Sequence, residues 1–126
     1  MTILAIDHVQ VAAPPGCEPE ARAFYGGVLG MEELPKPESI RGRGGCWFRA
    51  GGQELHVGVE DPFVAARKAH PGLVASGLEA IRTRLRNAGV DYEDDTKIAG
   101  VDRLFVQDPF GNRLELRGQA LELDSK

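Results

Sequence analysis

The stretches GGQELHVG (51–58) and FGNRLELR (110–117) decide the reading of the fold, because one echoes the other. Gly52 stands four residues before His56, and Gly111 stands four before Glu115. In each, a leucine precedes a residue able to bind metal. Side chains of a strand alternate between its two faces. Glu54, His56 and Gly58 therefore share one face, and Leu55, Val57 and Val59 the other. In 113–117 the polar face holds Arg113, Glu115 and Arg117, and the apolar face Leu114 and Leu116.

Working outward, each stretch closes a similar run of elements. In ILAIDHVQVAA (3–13), Ile6, His8 and Gln10 alternate with Asp7, Val9 and Val11, as in a strand with one buried face. PPGCEP ends it, and Pro19 suits the first turn of a helix. Ala21, Phe24, Tyr25 and Val28 then recur at helical spacing, with Gly30 as the stop. A short strand is expected near 31–34, and PKPESIRGRGG (35–45) reads as a loop. CWFRA (46–50) and QELHVGV (53–59) make a hairpin at Gly51-Gly52. Residues 60–69 read as a connector with a helical turn. The pattern then restarts. A short apolar stretch spans His70 to Ala75. Ser76 and Glu79 fit a capping box. Leu78, Ile81 and Leu85 line a helix closed by Gly89, and a short strand is expected at 90–94. RLFVQD (103–108) and RLELR (113–117) flank the turn PFGN. The repeat sets His8 against His70 and His56 against Glu115.

The order strand, helix, three strands thus occurs twice, an α+β arrangement of two tandem βαβββ modules, about 3–60 and about 69–117, with a tail at 118–126. A chain of 126 residues suits a single domain. Neither module alone buries a sheet face well, so the halves are expected to pack together or to swap between two chains. Apolar residues at 42% and charged residues at 27% are ordinary for a soluble protein. No stretch reaches the roughly 20 apolar residues of a membrane span. MTILAIDHVQ lacks a basic start followed by an apolar run, so no secretory signal is expected, and the expected location is cytoplasmic. A net charge of −4 without basic blocks argues against nucleic acid. Cys17 and Cys46 read as reduced thiols, Cys46 as a small core residue.

The apolar face of each strand is expected to pack on a helix, and the polar face to line a cleft. His8, His56 and Glu115 then project into it from three strands. Imidazole and carboxylate suit Zn, Fe, Mn, Ni or Co, and two histidines with one carboxylate match the facial set of non-haem iron oxygenases. Tyr25 reads as helix core, and Trp47 and Phe48 as packing, with a ligand-stacking platform as the alternative. Arg41 and Arg43 either clamp an anion or lie in a solvated loop.

IDHVQVAA, ARAFYGGVLGM, SGLEAIRTRLRNAGV and DPFGNRLEL resemble the vicinal oxygen chelate superfamily, which includes glyoxalase I, extradiol dioxygenases, and fosfomycin and bleomycin resistance proteins. The resemblance spans about residues 3–117. It implies a cup-shaped mixed sheet around a divalent metal, with helices on the outer face. It implies His8, His56, His70 and Glu115 as ligands, either as a set of four or as three, with Glu54 the alternative to His56. Pro71 departs from the pattern: proline donates no ladder hydrogen bond, which puts His70 at a strand edge. The implied activity is metal-dependent, of the glyoxalase lyase or isomerase or the dioxygenase type. The ion chelates a small substrate through neighbouring oxygens, and Glu115 serves as ligand or base. A homodimer is implied. The competing reading is a metal-free protein of the bleomycin resistance type that sequesters a small molecule. A weaker third reading is an accessory partner module.

Overall fold

The computed structural model describes residues 2–119. It divides into two compact units, Met1–Ala65 and Ala66–Lys126. Gly118, expected to open the tail, instead ends the last strand, and the rest of that expectation, 120–126, lies outside the described residues.

In the first unit, β1 (His8–Ala13) is followed by the helix α1 (Glu18–Ala21) and its continuation Arg22–Val28. Then come β2 (Glu33–Leu34), a 3-10 turn (Glu38–Arg43), β3 (Cys46–Ala50) and β4 (Gln53–Val59). The sheet order is β1-β4-β3-β2, with β1 parallel to β4 and the other pairs antiparallel. Val11 and Ala13, Leu55 and Val57, and Cys46 and Phe48 fill one face and are buried. Tyr25 from the helix packs on Phe48 with ring centroids 5.5 Å apart. Burying such side chains stabilises each by about 1.5–3 kcal/mol.

Several expectations change in detail. The first strand begins at His8, and Ile3 and Leu4 are 90% and 93% exposed. Beyond Ala21 the helix widens to π geometry: the Leu29 N–H reaches back five residues to the Phe24 carbonyl at 2.9 Å. The pair Gly26-Gly27 holds a tight α-turn weakly, which favours this widening. The expected loop 35–45 contains the 3-10 turn. It leads into Gly45, where φ is +85° and an added Cβ would lie 2.1 Å from the Val57 carbonyl oxygen. Residues 60–69 form no helical turn.

The second unit repeats the plan. Its elements are β5 (Gly72–Ala75), α2 (Leu78–Asn87), β6 (Tyr92–Asp94), β7 (Arg103–Gln107) and β8 (Arg113–Gly118). The sheet order β5-β8-β7-β6 again has a parallel outer pair, β5 with β8. Leu104, Val106, Leu114 and Leu116 are buried, as are Leu78 and Leu85 on α2, which packs on β8. The expected capping box is absent. Gly77, in an extended conformation, caps α2 without a side-chain bond. Ser76 therefore lies one residue too early, and Glu79 pairs instead with Arg82 at 3.2 Å. The fold is α+β, two tandem βαβββ modules each built on a four-stranded mixed sheet.

Candidate functional site

Strand register fixes which side chains meet. In the first unit Gln10 lies opposite His56, and Trp47 lies opposite it on the other side. In the second, Gly72 and Phe105 flank Glu115 in the same way. His56 and Glu115 therefore hold equivalent places. His8 and His70 are matched too, each two residues before the partner on the parallel strand. Each unit brings its own pair of expected residues into contact, on the face opposite its core.

In the first unit, the His8 and His56 rings stack with centroids 4.2 Å apart at 15°. Trp47 covers the other side of His56 at 3.9 Å and 2°. Trp47 reaches this spacing because directly opposed side chains stand about 5 Å apart, whereas His8 meets His56 on the diagonal, from the position opposite Glu54. His56 is buried, and its Nε2 lies 2.9 Å from Glu54 Oε1. His8 is exposed, and its Nδ1 lies 3.0 Å from Asp7 Oδ2. A carboxylate on one ring nitrogen orients the other, as behind metal-bound histidines.

In the second unit, His70 precedes β5, on the far side of Pro71. The Glu115 N–H donates to the Pro71 carbonyl at 3.0 Å, which ties this segment to β8. His70 Nε2 lies 3.1 Å from Glu115 Oε1, and its Nδ1 lies 2.9 Å from the Lys68 carbonyl oxygen. That oxygen only accepts, so the Nδ1 proton is assigned by it. Arg103 and Arg117 donate to the second oxygen of Glu115, at 3.1 and 2.8 Å. Burial raises the Glu115 carboxyl, but the bonds from His70, Arg117 and Arg103 outweigh it and hold the group below its ordinary value. A carboxylate kept ionised in this way suits a ligand better than a base.

The donor sets fit a divalent ion unequally. Two ligand bonds of about 2.1 Å at a right angle place their donor atoms about 3.0 Å apart. The His70–Glu115 contact of 3.1 Å matches that spacing. With Nδ1 protonated, its Nε2 presents a lone pair beside the carboxylate; without an ion the contact needs a proton there. His8 keeps Nε2 available. His56 fits less well: nearly parallel rings aim their in-plane lone pairs along separate planes, and Glu54 occupies its Nε2. Among the described residues no group of three or more His, Cys, Asp or Glu side chains stands together as a metal site.

An open groove of about 500 Å³ lies on the same face of the first unit, lined by Glu38 and Arg41 of the 3-10 turn with Trp47, Arg49 and Glu54. Arg41 borders it but donates to the Lys36 carbonyl at 3.3 Å, and Arg43 is exposed. Tyr25 and Phe48 are core, as expected. Cys17 and Cys46 are free and buried, and burial pushes the Cys46 thiol up to about 11. The stacking of Trp47 on His56 and the arginine supports of Glu115 were not anticipated. The first follows from register, which sets Trp47 directly across from His56; the second arises because Arg103 and Arg117, opposite each other, both stand on the face of Glu115.

No family model and no curated protein matches the chain. No helix among the described residues is long and apolar enough to cross a membrane. Solved structures do match. A glyoxalase family protein from Bacillus anthracis is 50% identical with a TM-score of 0.90, over 94% of this chain and 98% of that one. Lactoylglutathione lyase from Agrobacterium tumefaciens is 21% identical with a TM-score of 0.71, covering 94% and 96%. The fosfomycin resistance protein FosX from Listeria monocytogenes is 15% identical with a TM-score of 0.74, covering 96% and 98%. The last two share the fold, and the first carries the kinship: the chain belongs to the glyoxalase family, within the vicinal oxygen chelate superfamily.

Proposed function

We propose that the protein is a divalent-metal-dependent enzyme acting on a small oxygen-bearing substrate, of the lyase, isomerase or dioxygenase kind. The observation that carries this reading is the His70–Glu115 pair, an imidazole nitrogen and an ionised carboxylate oxygen 3.1 Å apart. These two are proposed as ligands. A further imidazole, His8 of this chain or of a second copy, is the one the superfamily resemblance adds. His56 joins the set only if its ring leaves the stack. The candidate ions are Zn, Fe, Mn, Ni and Co.

When bound, the ion supplies Lewis-acid polarisation of substrate oxygens. This chain's own residues do the rest. Arg103 and Arg117 hold the Glu115 carboxylate in one orientation, so it meets the ion without reorganising. The Lys68 carbonyl fixes the His70 tautomer. Asp7 does the same for His8. Glu54 beside His56 is the proposed proton-transferring pair, because its carboxylate lines the open groove and, among the described residues, pairs with that imidazole alone. A homodimer in the cytoplasm is part of this proposal. Sequestration of a drug without metal is less well supported: Trp47, the candidate stacking platform, already has one ring face covered by His56.

The test is elemental analysis of protein purified without chelator or histidine tag, beside a His70→Ala, Glu115→Ala double variant. Near-stoichiometric metal in the first, absent from the second, is the expected result. Wild-type protein that takes up none of the five ions would reject the proposal in favour of sequestration.

A further inference from the structure

We propose that Arg113 anchors an anionic group of the ligand, a carboxylate or phosphoryl oxyanion, on the polar face of the second unit. Arg113 shares that face with Glu115, one repeat of the pleat away along β8, or about 7 Å. Three guanidinium groups crowd this face. Arg103 is paired with Asp95 at 3.0 Å and with Glu115 at 3.1 Å, and Arg117 with Glu115 at 2.8 Å. Arg113 has no carboxylate partner among the described residues. Its Cζ lies 4.1 Å from the centre of the Phe105 ring. Of these three cations, Arg113 is the one without an ion pair among the described residues; Glu93, across Phe105 on β6, is the third carboxylate of the face and is exposed.

Phe105 is the common support. The His70 ring meets its edge at 5.6 Å, and Arg103 lies 5.1 Å above it. The aromatic ring that borders the His70–Glu115 pair therefore also places Arg113. A guanidinium held on a ring keeps its N–H edge for a planar oxyanion, which it can grip with two parallel bonds. The fold does not require this arginine: the equivalent position of the first unit is Glu54, of opposite charge. Half-burial shields Arg113 from full solvent screening.

The proposal narrows the substrate class of the reading above and rests on it only in calling the ligand a substrate. Anion capture itself needs no ion. The full chain, as purified and after chelator treatment, is titrated with methylphosphonate and with acetate by calorimetry, and the contacts are mapped by amide chemical shifts. Saturable binding is expected in both preparations. It should weaken about tenfold in Arg113→Gln, as for loss of a charge-assisted contact. It should weaken less in Arg113→Lys, and stay unchanged in Arg84→Gln, which removes a charge from exposed α2 of the same unit. No saturable binding, an Arg113→Gln affinity equal to wild type, or an equal loss in Arg84→Gln would each overturn the proposal. If the glutamine variant fails to fold, Arg113→Lys decides instead: a weakened affinity supports the proposal, and an affinity equal to wild type overturns it. Binding through Arg113 by a protein that never holds metal would leave this inference standing and remove the metal-dependent one. A metalloprotein indifferent to Arg113→Gln would do the reverse.

Discussion

The two units present the same backbone ladder and two different chemistries. Trp47 and Phe105 hold matched places beside His56 and Glu115. Leu55 and Val57 are matched by Leu114 and Leu116, all buried. On the other face the match breaks down. Glu54 corresponds to Arg113, Gly58 to Arg117, and Gly45 to Arg103. Two of the three differences have a local cause. A Cβ at Gly45 would strike the Val57 carbonyl, and one at Gly58 would lie 2.6 Å from the Gln10 side chain. In the second unit the small residue is Gly72, on the parallel strand, which leaves room for arginines around Glu115. The first face becomes a stack of aromatic rings, and the second a carboxylate in a guanidinium cradle. The apolar side of a strand carries the fold, so its pattern repeats; the polar side answers to the ligand and is free to diverge.

If the apolar faces are equivalent in role, emptying either should destabilise strongly. Phe48→Ala is expected to cost about 3–5 kcal/mol and Leu114→Ala about 2–5 kcal/mol. Urea unfolding followed by circular dichroism measures both, and Trp47, the single tryptophan, reports the first unit by fluorescence. A loss under about 1 kcal/mol at Phe48 would break the assignment of the first core. The polar faces should separate where the apolar faces agree. Glu115→Gln is expected to lower metal affinity by more than the roughly 10–100-fold that loss of an outer partner costs, and Glu54→Gln by less. Competition with a chromogenic chelator gives both values. Equal losses would mean that the two faces contribute alike.

Much of this comparison was legible in the sequence. Period-two alternation gave the faces of β4 and β8, and the echo of GGQELHVG in FGNRLELR aligned His56 with Glu115. The observed register agrees with that alignment. Glycines marked both helix ends, since Gly30 and Gly89 have φ of +75° and +71°. What escaped was set by contacts distant in sequence. The exceptions are local: the π-widening falls at Gly26-Gly27, and the capping box failed because Gly77 took the cap conformation where Ser76 stood one position early. The Trp47–His56–His8 stack and the arginines on Glu115 require knowing which strands are neighbours, and spacing within one strand does not say. His70 shows both sides: Pro71 placed it before the strand, but its bond to Glu115 is a long-range result.

Smaller effects test the rings. Trp47→Ala removes a stack worth about 1 kcal/mol beyond buried area, and Phe105→Ala removes two arginine contacts and the edge of His70. Similar losses of stability are expected, measured by urea midpoint. Only Phe105→Ala should weaken methylphosphonate binding. A matching loss in Trp47→Ala would show that anion capture is not particular to the second face.

The smallest expected effect concerns a charge cluster on α2, whose counterpart in the first unit is the single Arg22–Glu33 pair between helix and β2. Arg82 on α2 bonds Asp102 at 2.6 Å and Asp94 at 2.9 Å, joining the helix to β6 and the segment before β7. The Arg82 guanidinium beside Asp102 holds its carboxyl below the ordinary 3.8. Because the folded value is the lower one, the stabilisation is present above that ordinary value and fades as the pH falls through the folded value. Asp102 is half exposed, so the pair is worth at most about 1 kcal/mol. Asp102→Asn should therefore lower the urea midpoint slightly at pH 7 and converge on wild type in acid below the folded value. A difference that persists unchanged at pH 2, or that grows as the pH falls, would show that Asp102 acts through packing. The link from α2 through Asp102 would then not be electrostatic.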